Sequence, residues 1–474
     1  MAPPRTLVDV IDRGALLFGD RPAVADGETS LTYAALRTRV RAMASHLHSD
    51  GVRPGDVVAV TGRNRVAWVV AAFGASMCGA VVAPLSDNLT DAERTATLDE
   101  LGAAQVLTGD ANVVGAEADG PPTGSLPRPD HTALLLATSG TTGKPDYVPM
   151  THGQLVRLYS EVSRRLGLTP DDRIFGAVPL AHSFGFNGVL LAGLLAGACV
   201  RLLPGYDRHR AAAVVLAERL TVVAGPPTVF YDLAQAAVPL GDSCRLAVTG
   251  SAEISAAALR ATCDRLGIDQ VVVGYGLTEA AGTVALDRLR RGVDEVWMTP
   301  LTGVEVRIVD DTGAQLGVGV TGRILVRGFN VCRRSYGHPA LDPSHWLDTG
   351  DLGRLDGSGR LLVESRRDDM VVVNGFNVYP HQVEAVLLAH PGVTAAAVVG
   401  RPDPRRGQVL VAAVVPVAGQ QTAEADLLAH CRKSLPLFKV PHRVITLAQL
   451  PLTPTGKVSR SALRRRLDQE NIDV

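Results

Sequence analysis

Short runs of apolar, mostly β-branched residues alternate with alanine- and leucine-rich segments of helical period along the first three quarters of the chain. Val57-Val58-Ala59-Val60, Leu134-Leu135-Leu136-Ala137, Val222-Val223-Ala224 and Val271-Val272-Val273 contain no polar position. Such strands need apolar cover on both faces, which predicts a layered α/β core with mostly parallel sheets. Between Val304 and Val326 the rhythm changes. Val304-Glu305-Val306-Arg307-Ile308 and Arg323-Ile324-Leu325-Val326-Arg327 alternate in polarity, the pattern of a half-exposed antiparallel or barrel-like sheet.

The charged stretch Glu364-Ser365-Arg366-Arg367-Asp368-Asp369 separates that sheet from a last block. This block has strands near Ala395–Val399 and Val409–Val415 and a helix from about Thr422 to Ser434. The expected organisation is therefore a large N-terminal α/β domain, residues 1–365, with layered sheets and a barrel-like β subdomain, then a small C-terminal α+β domain, residues 366–474. Two uncharged stretches, Val66–Ser86 and Ser183–Val200, are as long as a membrane helix. The first divides near Gly79 into a helix and the strand Ala80–Ala83, closed by Pro84, while the second holds Ser183, Asn187 and several glycines. Both are predicted as buried parts of the core, and no membrane span is expected.

Composition narrows the function classes. The 474 residues carry a formal net charge of −1, with no basic tract beyond Arg464-Arg465-Arg466, so a nucleic-acid partner is not expected. The six cysteines form no C-x-x-C pair, which suggests neither a zinc cage nor a secreted disulfide framework. Asp9, Asp12 and Arg13 interrupt the first hydrophobic stretch, unlike a signal peptide. A cytoplasmic location is expected.

The segment most informative about chemistry follows an apolar strand: Thr138-Ser139-Gly140-Thr141-Thr142-Gly143-Lys144-Pro145. Glycines allow the backbone to approach a phosphate, and hydroxyls and amides supply donors around its oxygens. The spacing is not that of a Walker loop, because two residues separate Gly140 from Gly143-Lys144 and Pro145 follows. Further along stand Pro179-Leu180-Ala181-His182, Gly274-Tyr275-Gly276-Leu277-Thr278-Glu279 and Trp346-Leu347-Asp348-Thr349-Gly350-Asp351. Arg366-Arg367-Asp368-Asp369, Asn374-Gly375-Phe376-Asn377-Val378-Tyr379-Pro380 and Pro454-Thr455-Gly456-Lys457 complete the series.

In this order and over this length, these segments resemble the adenylate-forming superfamily, which includes acyl-CoA synthetases, aryl acid ligases, peptide-synthetase adenylation domains and luciferases. The resemblance implies an AMP-forming acid–thiol ligase: MgATP and a small carboxylic acid give an acyl-AMP and pyrophosphate, and the acyl group then passes to coenzyme A or a carrier protein's phosphopantetheine. It implies that Thr138, Ser139, Gly140, Thr141, Thr142, Gly143 and Lys144 grip the phosphates, and that Gly250, Ser251, Ala252, Gly274, Tyr275 and Gly276 line the nucleotide site. Tyr275 would stack on adenine, Thr278 meet the α-phosphate, Glu279 hold Mg²⁺, Asp351 accept the ribose hydroxyls with Arg366 beside it, and Lys457 stabilise transition-state charge. Asp368 would be the hinge of a mobile C-terminal domain, and Asn374–Pro380 would line the pantetheine tunnel.

His182, as a gate near the carboxylate, with Phe184, Phe186, Asn187, Phe230, Ala280 and Gly282 is the expected acyl pocket. No acid occurs between His182 and Leu195, which points to a neutral acyl or aryl acid, because amino-acid-activating relatives usually place an Asp there. The chain departs from the family's pattern at Asp146 and Tyr147, where a basic residue and glycine are usual, and at Arg323, Ser365 and Gln382. Two further readings stay open at this point: a nitrogen or other non-thiol acceptor, and a nucleotide-binding protein without catalysis.

Overall fold

The computed structural model describes residues 3–109, 126–138, 146–236, 240, 243–250, 256–293, 295–332, 336, 342, 344–373, 376–403, 407–417, 419–420, 422–452 and 458–469. Its largest sheet runs from Val304–Val309 through Gly322–Gly328, Leu347–Leu355, Leu361–Arg366, Trp297–Pro300, Ala285–Arg288, Gln270–Tyr275, Leu246–Gly250, Val222–Ala224, Arg173–Gly176, Cys199–Leu202 and Pro22–Ala25 to Ser30–Thr32. Pairing is parallel from Pro22–Ala25 to Gln270–Tyr275. It is antiparallel from there to the Val304–Val309 edge. The alternating polarity that begins at Val304 thus belongs to the antiparallel part of the sheet, although antiparallel pairing already begins at Ala285–Arg288. The two regions are nevertheless one hydrogen-bonded surface, because Trp297–Pro300 pairs with Ala285–Arg288 on one side and Leu361–Arg366 on the other.

A second sheet has the order Gln105–Thr108, Val57–Thr61, Val81–Pro84, Thr132–Thr138 and Asp146–Thr151. Its last two strands form an antiparallel pair flanking residues 139–145, so the glycine-rich segment lies outside the described residues while both its ends are anchored. The helix Val66–Met77 is buried along almost its whole length, which explains its uniformly apolar sequence without a membrane. Most of the Ser183–Val200 stretch is helical too, wound as a π-helix over Phe184–Leu191 and as an α-helical turn over Ala192–Ala196, before it enters the strand Cys199–Leu202. Among the described residues no helix is long and apolar enough to cross a membrane.

The small C-terminal region contains a sheet of Phe376–Val378, Val371–Val373, Gly407–Pro416 and Val393–Asp403, with Arg443–Thr446 also pairing to Gly407–Pro416. Its long strands are apolar at consecutive positions because each face has its own core. Val398, Leu410, Ala412 and Val414 join Val383, Leu387, Leu427 and Cys431 from two helices, whereas Ala397, Val399, Val411 and Ala413 join Leu463 and Leu467 of the last helix. Glu384 is largely buried, its side chain 12% exposed. It accepts from the Val398 amide at 2.7 Å and from Arg460 Nη2 at 2.8 and 2.9 Å, so the carboxylate has the donors burial requires.

Two histidines are held neutral by burial. His152, 1 % exposed, accepts from the Leu7 amide at 3.3 Å through Nδ1, and desolvation pushes its pKa down to about 4. His381 is also pushed down to about 4, by burial and then by the nearby Arg460 and Lys439 cations. A base whose pKa is depressed on folding contributes its full stability above the unfolded value and loses it as pH falls toward the folded one. Unfolding free energy is therefore expected to decline below pH ~6.5, by about 2 kcal/mol per ring at pH ~5. Urea titrations across that range check this, and His152→Asn should flatten part of the slope; an unchanged slope would remove His152 from the account.

Candidate nucleotide and acyl site

The strand Gln270–Tyr275 lies at the junction between the parallel and antiparallel parts of the large sheet and delivers Tyr275 to its end. The Tyr275 hydroxyl donates to Asp351 Oδ2 at 2.6 Å. Asp351 is only 6 % exposed, and its other oxygen is 3.1 Å from Arg366 Nε on the neighbouring strand. Burial first, and then the adjacent Asp351 carboxylate, push the Tyr275 phenol well above its usual range, so it stays a donor. Thr349 Oγ1 accepts from the Asp351 amide at 3.1 Å and itself donates to the Ile324 carbonyl, fixing the bend that carries the acid. Arg323 is no vacancy in this region: its Nη1 lies 2.7 Å from Asp348 Oδ2, and its guanidinium also donates to the Asp310 carbonyl.

After Tyr275 the chain doubles back. A Cβ on Gly276 would stand 2.2 Å from the Gly282 carbonyl oxygen and 2.7 Å from Thr283 Cα, so only glycine fits. Thr278–Ala280 forms a short 3₁₀ turn with Thr278 and Glu279 half-buried, and the strand Thr132–Thr138 packs against it. Ala281 follows with φ +53°, a left-handed conformation that costs an alanine about 1 kcal/mol. The turn is held from below: the Cys332 amide donates to the Glu279 carbonyl at 2.8 Å, and buried Asn330 Nδ2 donates to the Thr283 carbonyl at 3.0 Å.

On the acyl side, His182 follows the turn at Pro179. The Phe184 amide donates to His182 Nδ1 at 3.2 Å, which in the neutral ring places the proton on Nε2. Phe184 is half-buried, whereas Phe186, Phe230 and Ala280 are at most 1 % exposed within the main core. Phe186 stacks on Phe73 and meets the edge of Trp68, both at 5.9 Å between ring centres. The sequence reading missed Asn64. This buried amide donates to the Val178 carbonyl at 2.8 Å and accepts from the Leu180 amide at 2.9 Å, so it sets the turn ahead of His182. Nothing local marks it, because an Asn between Arg63 and Arg65 reads as an ordinary loop residue.

Several expected site residues lie outside the described residues: Ser139, Gly140, Thr141, Thr142, Gly143, Lys144, Ser251, Ala252 and Lys457. Asp368 is placed in a 3₁₀ turn, Arg367–Asp369. Thr138 pairs with Asp146 across the hairpin, and Gly250 with Gly274 across the parallel sheet. Asp146 is exposed, while Tyr147 is 5 % exposed and packs with Leu135 and Leu101, so the unusual Asp146-Tyr147 pair is ordinary strand alternation.

The sequence profile of the family described as AMP-binding enzyme matches residues 11–122 and 110–336, and that of the AMP-binding enzyme C-terminal domain matches residues 382–457. The chain belongs to the AMP-binding enzyme family. It is an ATP-dependent, AMP-forming acid–thiol ligase of the adenylate-forming superfamily. Among its relatives, the 3-[(3aS,4S,7aS)-7a-methyl-1,5-dioxo-octahydro-1H-inden-4-yl]propanoyl:CoA ligase of Rhodococcus jostii is 34% identical, with 97% of this chain and 98% of the relative covered. A feruloyl-CoA synthase of Amycolatopsis is 36% identical over 96% of this chain and 97% of its own length. The crystal structure of ATP-bound MatB from Rhodopseudomonas palustris superposes with a TM-score of 0.83 at 28% identity, covering 98% of this chain and 99% of that one. This AMP-binding enzyme thus shares the large N-terminal and small C-terminal domains of its structural neighbours.

The close backbone approach at Gly276 makes a test of the ligase's central turn. Gly276→Ala is expected to destabilise the protein by about 3 kcal/mol, since backbone, not a flexible side chain, stands in the way. Denaturant unfolding measures it, and a change under about 0.5 kcal/mol, the range of ordinary surface substitutions, would mean that the turn adjusts freely.

Proposed function

We propose that this enzyme activates a neutral carboxylic acid with a hydrophobic, ring-bearing body and transfers the acyl group to coenzyme A. The observation that carries the nucleotide half of this reading is the Tyr275–Asp351–Arg366 arrangement: a nearly buried carboxylate oriented by a phenol and a guanidinium at the end of a sheet. Such a carboxylate is suited to accepting the paired hydroxyls of a ribose. The acyl half is supported by the charge-free stretch after His182 and by the cyclic acids in the names of the two relatives.

In this reading the substrate carboxylate is already ionised and attacks the α-phosphorus of ATP without a general base, forming a P–O bond as the bond to pyrophosphate breaks. Thr278 and the Thr138–Lys144 segment hold phosphate oxygens, Lys457 offsets the charge that develops there, and the His182 ring flanks the carboxylate. Coenzyme A sulfur then attacks the acyl carbon, and AMP leaves. Glu279 fits a divalent cation chemically: it is a half-buried carboxylate on a turn braced by hydrogen bonds. Among the described residues no group of three or more His, Cys, Asp or Glu could hold a metal alone, so Mg²⁺ at Glu279 would take its other ligands from phosphates and water and would supply charge neutralisation. The hinge at Asp368 and the tunnel role of Asn374–Pro380 belong to the same proposal, as does the domain division at 365/366.

Incubating the protein with MgATP, coenzyme A and a panel of hydroxycinnamic, arylacetic and cyclic propanoic acids should release AMP and pyrophosphate with an acyl-CoA. Stoichiometric ADP would sink the reaction class; product only with an amine or a carrier protein would replace the acceptor. Tyr275→Phe removes the donor to Asp351 while keeping the ring, so the KM for ATP is expected to rise roughly tenfold, the worth of one hydrogen bond to a charged group. An unchanged KM would detach Asp351 from the nucleotide.

A further inference from the structure

Asn187 was expected to line the acyl pocket, but its amide is turned elsewhere. The residue is fully buried in the π-helix Phe184–Leu191. Its Nδ2 donates to the Ala281 carbonyl at 3.3 Å and faces Met150 Sδ at 3.6 Å. Both contacts are acceptors, which fixes the orientation of the amide. The same Ala281 carbonyl receives a second donor, the hydroxyl of buried Tyr159, at 2.9 Å. Tyr159 lies on the helix His152–Leu166 that directly follows the Asp146–Thr151 strand, and Met150 lies on that strand. The acyl-side helix and the helix His152–Leu166 therefore meet the turn carrying Thr278 and Glu279 at one carbonyl, and Met150 of the strand Asp146–Thr151 touches the same Asn187 amide.

That carbonyl belongs to the residue whose backbone most needs holding. Ala281 has φ +53°, one of two positive values among the described non-glycine residues. Gly282 follows at φ +100°, and a Cβ there would stand 2.6 Å from the Tyr159 hydroxyl. A left-handed alanine persists only where its surroundings over-determine it, and such residues concentrate at functional sites. Two donors on its carbonyl, from two different helices, are that over-determination. The π-helical winding of the segment bearing Asn187 is the kind of local irregularity that re-aims a side chain.

We propose that Asn187 and Tyr159 form a positioning pair that sets the Thr278–Glu279 turn from the acyl-side helix, so that Asn187 acts on the phosphate and metal chemistry and not on the choice of acid. This rests on the reading that Thr278 and Glu279 serve the phosphates and Mg²⁺. Asn187→Leu keeps the volume and removes the amide; Tyr159→Phe keeps the ring and removes the hydroxyl. Each is assayed by ATP–pyrophosphate exchange with the best acid of the panel above, across a Mg²⁺ titration, with thermal unfolding alongside. In both variants the Mg²⁺ concentration for half-maximal exchange should rise at least threefold and the maximal rate fall about tenfold or more, while the KM for the acid stays within twofold and the order of preference among acids is kept.

A merely structural pair would lower the unfolding midpoint and leave the Mg²⁺ response unmoved, which would overturn the proposal. So would a changed acid preference at unchanged Mg²⁺ response, the signature of a pocket wall. If Asn187→Leu does not fold, Tyr159→Phe, which only removes an oxygen, decides alone. Glu279→Gln is the separate control: a normal Mg²⁺ response in that variant would sink the reading beneath the inference and the inference with it, whereas a weakened response there with normal responses in the pair would sink the inference only.

Discussion

A carboxylate withdrawn from water must be met by donors, and at Asp351 this constraint joins the antiparallel part of the large sheet to the end of its parallel part. Its partners come from separate places: Tyr275 from the strand at the end of the parallel region, Arg366 from the adjoining antiparallel strand. They can meet because Trp297–Pro300 joins the two regions into one hydrogen-bonded surface. Without that bridging strand the acid and the phenol would sit on separate sheets whose relative position nothing in the backbone would specify. The cost of burying the acid, several kcal/mol for an unpaired ion, is what makes this arrangement well defined.

The turn after Tyr275 follows a different logic. Its geometry is strained at Ala281 and sterically closed at Gly276, so it cannot be stabilised by its own local preferences. Support comes from buried polar side chains, Tyr159, Asn187 and Asn330, each addressing backbone carbonyls of residues 280–283. Placing Thr278 and Glu279 on a backbone held in this way suits chemistry that depends on position more than on acid–base strength. Rigidity is supplied by the core, and Thr278 and Glu279 stand half-buried at its edge.

The C-terminal region solves a smaller version of the same problem. Its sheet has helices on both faces, and the largely buried acid Glu384 is paired with Arg460 at the start of the last helix. Arg460 and Arg464 also approach Asp369, at 3.7 and 3.3 Å, next to the proposed hinge at Asp368. The segment that leaves the large domain and the final helix are thereby tied to one another.

Much of this was legible in the chain itself. Apolar runs without alternation required strands covered on both faces, and the switch to alternation at Val304 required a half-exposed antiparallel sheet, because side-chain period and burial are linked by strand geometry. The motifs likewise disclosed the family, since their order and spacing constrain the chemistry more than any one residue does. What the sequence could not determine is which partner a buried side chain meets. Phe186 packs against Phe73 and Trp68, Asn64 holds the turn before His182, and the Asn187 amide reaches the Ala281 carbonyl. These contacts join residues between 94 and 118 positions apart in all three cases, and no local propensity encodes such a pairing. Composition and period determine that a group is buried, whereas the choice of its partner is decided only when distant segments pack and every buried donor must find an acceptor.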